Sequence, residues 1–555
     1  MSRRQDMFLK ESIPSEIGIG KGSHPAHDQD QTLDAKGSHV HHHRAITLVV
    51  LILMGLLQAC VGRGEQGVSW QLVKATDFED ATATLIPTSS TTPHPLLTYL
   101  PPSPRPGEPY LTPTPDSLRD PPFIRTESEN YVVQPGDSLS LIAYRFGVSP
   151  LLIIEANDIV NANLLAVWQN LLIPAPILRE PGPSFKIIPD SELVYGPAGA
   201  LFDVHRVITD WGGFLEQYEE EVEGLELSGA DVIQLVSYRY SVNPRLLLAL
   251  LEYQSGWLTR EDIPPDSVTY PIGYIHEDWQ GLFGQLSFVA NQLNRGYYLW
   301  RAGWAGPYVF DDGSVVVPGQ GVNAGTVGVQ NLFSLLYQAE TWRTVVGEQG
   351  FYQTYLSLFG NPFGVAVEPL LPDGLDQPYM QLPFEVGKTW SFTSGPHSAW
   401  GTGSGWAALD FAPPGYAYGC VLSNEWVVAS ADGVVSRIDE GVVILDLDGD
   451  GYEQTGWVLL YLHVEERDRV PSGVALHAGD RIGHPSCEGG VSTGTHIHIA
   501  RKYNGEWIPA DGSLPFVLDG WVSAGQGREY NGTLSRGSVI VEAYFQRGLY
   551  NQISR

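Results

Sequence analysis

Five residues in the last third of the chain, His397, Asp410, His463, His496 and His498, supply the groups that a single-zinc hydrolase needs. Such a site takes three His or carboxylate ligands, an open position for water, and further groups that move protons or steady an oxyanion. In Thr495-His496-Ile497-His498-Ile499-Ala500 apolar and polar residues alternate as in a strand, and the two-residue period puts both imidazoles on one face. One can then bind metal while the other faces a substrate. A His-x-His pair is weak by itself in a chain with 15 histidines, and any one of the five taken singly is more simply a core or surface residue.

The flanking elements strengthen the set. Ser394-Gly395-Pro396-His397-Ser398 opens a Gly-rich loop, and Ala408-Leu409-Asp410-Phe411-Ala412 carries a carboxylate inside an apolar strand. A buried unpaired carboxylate is costly, so Asp410 wants a cation. Trp457 to Val464 is a strand long enough to be core, with His463 at its end. The usual helical zinc motif is absent: His276-Glu277-Asp278-Trp279-Gln280 begins like one but has no second His.

Over residues 385–515 these segments, with Ala431-Asp432-Gly433-Val434-Val435, Ala478-Gly479-Asp480-Arg481-Ile482-Gly483 and Ser492-Thr493-Gly494-Thr495, resemble the M23 (LytM or lysostaphin-like) zinc endopeptidases of bacterial cell walls. The resemblance implies that His397, Asp410 and His498 hold one zinc ion and that His463 and His496 are the catalytic histidines. One departure stands out. Most members place the first His four residues before the Asp, whereas 13 separate them here, with Gly401, Gly403 and Gly405 between. That interval resembles the β-lytic, LasA-like branch, whose members cleave glycine-containing wall peptides.

At 555 residues the chain should hold several domains, and 43% hydrophobic content is ordinary for folded protein. A formal charge of −31 argues against nucleic acid and against an electrostatic hold on anionic membrane or wall polymers. Residues 1–59 read as a signal peptide with a long polar lead, because the apolar run Ala45 to Ala59 is too short to favour a spanning helix. Leu57-Gln58-Ala59-Cys60 resembles a lipoprotein cleavage site, which makes Cys60 the expected lipidated residue and membrane anchor; an ordinary signal peptide or anchor helix is the alternative. Residues 60–128, rich in Pro and Thr, form an extended linker. Export permits a disulfide between Cys420 and Cys487, with two buried thiols as the alternative.

The expected fold is multidomain α+β. At 129–176, Tyr131-Val132-Val133-Gln134-Pro135-Gly136-Asp137-Ser138-Leu139, Ile142-Ala143, Asn157 and Leu172-Ile173-Pro174 resemble a LysM module, a small βααβ fold that binds peptidoglycan. By that resemblance glycan contacts fall near Gly136, Asp137, Ser138 and Asn157. Residues 177–372 read as a mainly α-helical domain. In it Asn243 caps a helix with Pro244 at its first position and Gly256 as its stop. That helix resembles the catalytic helix of lytic transglycosylases and goose-type lysozymes, but Gln254 stands where the acid would be and cannot protonate a glycosidic oxygen. A degenerate lysozyme-like domain is therefore expected, or else an ordinary helical one. Residues 373–555 read as a mainly antiparallel β peptidase domain with a C-terminal tail. Inside it Asp446, Asp448 and Asp450 match the first half of a calcium loop, but the closing Glu falls on Trp457, which favours a hairpin turn over calcium. The expected activity is hydrolysis of peptidoglycan peptide bonds. The alternative is a non-catalytic wall-binding or regulatory lipoprotein that activates another hydrolase.

Overall fold

The computed structural model describes residues 124–555 apart from 135–136, 163, 304–305 and 416–417. The expected signal segment, the linker up to residue 123, Cys60 and Gly136 lie outside the described residues. Among those described, no single helix is long and apolar enough to cross a membrane.

The first module has the order β1 (Glu129–Val132), α1 (Leu139–Phe146), α2 (Pro150–Ala156) and β2 (Asn170–Ile173), with the two strands antiparallel. Local chemistry sets its boundaries. The Ser138 and Ser149 hydroxyls accept from backbone N–H groups in the first turns of α1 and α2, and Gly147 ends α1 in the left-handed conformation at φ 62°. Leu139, Ile142, Ile153, Leu171 and Ile173 form its small core.

The middle region is mainly helical, with short hairpins. Its principal helices are α3 (Gly229–Tyr240), α4 (Pro244–Ser255), α5 (Gly281–Arg301) and α6 (Ala324–Ser334). Asn243 accepts from the Arg245 N–H to start α4, and Gly256 ends it at φ 71°. The α4 side chain in question, Gln254, accepts the Tyr337 hydroxyl at 2.7 Å. Glu252 accepts from the Leu258 and Thr259 N–H groups and the Thr259 hydroxyl, so it closes the turn after α4.

The C-terminal region is built on an antiparallel sheet. Its main strands are β3 (Thr389–His397), β4 (Ala408–Ala412), β5 (Gly433–Asp439), β6 (Val442–Asp446), β7 (Trp457–Leu462) and β8 (Ile497–Tyr503). Across the sheet the order is β5-β6-β7-β8-β4-β3, with Ala475–Leu476 on the β5 edge and Gln552–Ser554 on the β3 edge. Strict alternation divides its two faces. Val443, Leu445, Leu459, Tyr461, Ile497, Ile499, Leu409 and Phe411 pack within the domain, against Trp390, Phe516, Trp521 and Leu534. Val442, Ile444, Val458, Leu460, Leu462, Ala408 and Ala500 point the other way, into the core of the middle region. An antiparallel sheet commonly leaves one face to water. Here the middle region covers that face, and the two regions share one core.

The junction is also polar. The Ser241 hydroxyl donates to the Gly505 carbonyl, Tyr298 accepts the Trp507 N–H at 2.9 Å, and Arg301 pairs with Glu506 at 3.1 Å. Cys420 and Cys487 form a disulfide.

Candidate metal centre

Strand register brings the chelating groups together. On β8 His498 lies directly opposite Asp410 of β4 on one side and Leu462 of β7 on the other, so His463 follows one residue beyond. His397 ends β3 opposite Ala408. His397 Nε2 and His498 Nδ1 each lie 3.2 Å from Asp410 Oδ1, and 3.0 Å from one another. All three residues are buried. Zinc–nitrogen and zinc–oxygen bonds of about 2.0–2.1 Å in a tetrahedron put ligand atoms ~3.3 Å apart, so this triangle has the size of one face of such a site.

The outward nitrogens explain why the inward ones are free. His397 Nδ1 lies 2.8 Å from the Gly395 carbonyl and His498 Nε2 lies 3.0 Å from the Ala399 carbonyl. A carbonyl only accepts, so those two nitrogens carry the protons and the lone pairs of His397 Nε2 and His498 Nδ1 face inward. Asp410 Oδ1 is itself buried without a hydrogen-bond donor. Three lone-pair donors converging at about 3 Å repel one another unless a cation sits among them. The residues present therefore fit a zinc ion.

Two further imidazoles stand beside the triangle. His463 sits just past β7 at φ 70°, a left-handed backbone uncommon outside glycine, and its Nδ1–H donates to the Glu488 carbonyl at 2.9 Å. Burial, then the neighbouring His496 and His498, lower its pKa, which favours the neutral ring with an Nε2 lone pair. His496 Nδ1–H donates to the Gly494 carbonyl at 2.6 Å, and its Nε2 lies 3.7 Å from Asp410 Oδ2. The two rings are 4.5 Å apart. Strand β8 begins at Ile497, so His496 lies just before it, yet both histidines face the same carboxylate.

Residues that sequence reasoning missed complete the surroundings. The Tyr530 ring stacks on His397 at 4.8 Å, and Glu529 accepts from both the N–H and the hydroxyl of Ser398. They lie more than 130 positions away along the chain, and no local pattern marks them. The other expected sites fare differently. Asp137 accepts the Tyr131 hydroxyl and the Gln134 N–H, Ser138 caps α1, and Asn157 pairs through both amide atoms with the backbone of Leu172. Their polar atoms are used inside the module, so they shape its loops. Asp446, Asp448 and Asp450 cluster in a turn tied by their own backbone N–H groups, with Asp446 Oδ2 accepting from Gly451.

Fold and site together give a buried His-Asp-His triangle on an antiparallel sheet, preceded in the chain by a small βααβ module. Residues 131–174 match the LysM domain family, and residues 186–370 match the family described as LasA, N-terminal domain. Protease LasA of Pseudomonas aeruginosa is 28% identical over 299 residues, covering 49% of this chain and 66% of that protein, just under two thirds of its length. The beta-lytic metalloendopeptidase of Achromobacter lyticus is 29% identical over 202 residues (35% of this chain, 48% of that protein), and that of Lysobacter enzymogenes 28% over 167 residues (30% and 88%). Among solved structures, the M23 metalloprotease pseudoalterin from the deep sea aligns over 31% of this chain and 99% of its own at 21% identity, with a TM-score of 0.25. The chain is thus similar to LasA-like M23 peptidases and carries a LysM match. The middle region, expected to be a degenerate lysozyme-like domain or an ordinary helical one, matches the LasA N-terminal domain family.

Proposed function

We propose that this chain is a zinc-dependent endopeptidase that cuts peptide bonds of peptidoglycan and is brought to the wall by its LysM module. The observation that carries the reading is the inward convergence of His397 Nε2, Asp410 Oδ1 and His498 Nδ1 beside two imidazoles with free Nε2 atoms. Zinc held by those three groups would supply a water of lowered pKa and a polarised scissile carbonyl. The remaining work belongs to His463 and His496. Each is fixed by a carbonyl at Nδ1, which leaves Nε2 as an acceptor that can take a proton from an attacking water and return it to the leaving amine. Once protonated, the same atom donates to a tetrahedral oxyanion.

In this reading the chain is exported and held at the envelope by lipid on Cys60, with the linker giving reach. The middle region holds or spaces the wall and does not cut it: Gln254 stands where a lysozyme-like helix would need its acid, and Glu252 is engaged in the turn after α4. The test is digestion of cross-linked muropeptides by the full chain with and without a chelator, beside His498→Ala. Product peptides that need both the metal and His498 support the proposal. Products unchanged by either treatment defeat it.

A further inference from the structure

The last thirteen residues carry an aromatic cluster that the metal site does not use. Phe545 is 74% exposed and Tyr550 60% exposed, and both rings adjoin Tyr544, at 4.7 and 5.3 Å between centroids. Large rings at such exposure lose hydration free energy that burial would recover, so a cluster of them on a surface marks a contact site.

The loop bearing them is held in shape. Asn551 is fully buried; its Nδ2 lies 3.0 Å from the carbonyls of Phe392, Tyr544 and Gln546, and its Oδ1 accepts the Gly548 N–H at 2.9 Å. A buried amide serving four backbone groups fixes the rings before anything binds, which lowers the entropy cost of binding. The loop also reaches the metal centre. Between Phe545 and Tyr550, Arg547 donates to the Thr495 carbonyl at 3.0 Å, and Thr495 directly precedes His496. From Thr495 to His498 is about 10 Å along an extended chain, a span that a few residues of bound peptide would match.

We propose that Tyr544, Phe545 and Tyr550 form a stacking platform for the amino-sugar strand to which the scissile peptide is attached. The inference rests on the peptidase reading, since it places the glycan where a peptide held at the metal centre would lead. The chain's own chemistry selects this occupant. The loop's two arginines are engaged within the chain, Arg547 with the Thr495 carbonyl and Arg555 with Asp519, so the surface offers rings and not charge. Neutral sugar rings offer apolar C–H faces to π-systems and carry no charge to repel.

The test compares the full chain with Phe545→Ala/Tyr550→Ala and with Leu549→Ala, a control that removes the 87% exposed aliphatic neighbour but no ring. Binding to peptide-free strands containing N-acetylglucosamine is measured with the LysM module present in every variant. The double variant should bind about tenfold more weakly and Leu549→Ala should bind as the parent. In turnover, the double variant should show a raised KM on intact wall and unchanged kinetics on a free cross-linked peptide. Unchanged strand binding overturns the proposal, as does an equal loss in Leu549→Ala, an equal loss on free peptide, or binding of anionic vesicles that only the ring variant abolishes. A parent that cuts neither substrate yet loses strand binding through these rings defeats the peptidase reading and leaves the platform standing.

Discussion

The division of labour between the five residues is set by which ring nitrogen each backbone carbonyl claims. His397 and His498 have their outer nitrogens bound by Gly395 and Ala399 and turn lone pairs toward Asp410, whereas His463 and His496 stand one layer out. Removing a chelating group should therefore differ in kind from removing an outer imidazole. Asp410→Ala and His498→Ala are expected to abolish both bound zinc, measured as metal per chain after dialysis, and muropeptide hydrolysis. His463→Ala should keep its zinc and lose roughly 10²–10⁴-fold in rate, the usual range for a positioned proton-transfer group. Full metal retention in His498→Ala would refute the ligand assignment, and unchanged turnover in His463→Ala the catalytic one. Alternation on β8 and the apolar run around Asp410 made the burial of His498 and Asp410 legible in the sequence, whereas the roles of the five residues came only from the resemblance to the M23 peptidases. The left-handed backbone at His463 and the stack of Tyr530 on His397 were not legible, since both arise only when distant strands close on one another.

At the scale of elements, the long interval between His397 and Asp410 acquires a physical cause. The loop it creates is docked on α5: Asn291 Oδ1 accepts the Gly403 N–H at 2.7 Å, and Asn291 Nδ2 donates to the Thr402 hydroxyl at 3.0 Å. A Cβ at Gly403 would lie 1.9 Å from the Asn291 carbonyl oxygen, so glycine is required there for close approach. The same loop supplies the Ala399 carbonyl that orients His498. Gly403→Ala should thus destabilise the chain by about 1–3 kcal/mol, read as a lower urea midpoint, and weaken zinc retention against a competing chelator. A variant with parental stability and parental metal affinity would show that loop and helix are not coupled. The acidic turn likewise finds a use other than calcium, because it delivers Glu453 to Arg437 at 2.6 Å and Lys502 at 2.7 Å in full burial. Burial alone would raise the Glu453 pKa, but Arg437 and Lys502 overcome it and lower it from 4.5 to about 2. A depressed carboxyl contributes stability above its unfolded pKa and loses it as pH falls through the folded one. Acid titration should therefore remove on the order of 3 kcal/mol between pH 4.5 and 2. In Glu453→Gln that component of the acid transition should vanish and neutral-pH stability should drop, because the buried Lys502 loses its countercharge and Arg437 keeps only Asp439, at 3.8 Å. An acid transition identical to the parent's would exclude Glu453 as its source.

For the whole molecule, the sequence divides at residue 372 into a helical and a β domain, while the packing does not respect that line. The apolar run Trp457 to Val464 marks a core strand but cannot say what buries each of its faces, since nothing in a strand's own pattern names its partner. The structure assigns the face of Leu460 and Leu462 to the middle region, which contributes Leu246, Leu293, Tyr297 and Trp300 to the same core. The consequence falls on the C-terminal region when it is cut from the rest of the chain. A fragment of residues 373–555 would expose Val442, Ile444, Val458, Leu460 and Ala500, together with Trp507, as one contiguous apolar surface, and would leave Glu506 without Arg301. Patches of that kind on soluble domains bind apolar dyes and drive association. The fragment is therefore expected to bind such a dye, to self-associate in light scattering, and to unfold at lower denaturant than the same region in the full chain. Trp507→Ser in the fragment should lessen association, because it removes the largest ring from the patch. A fragment that stays monomeric, binds no dye and unfolds at the full chain's midpoint would mean that the sheet face is self-sufficient and that the middle region rests on it without stabilising it.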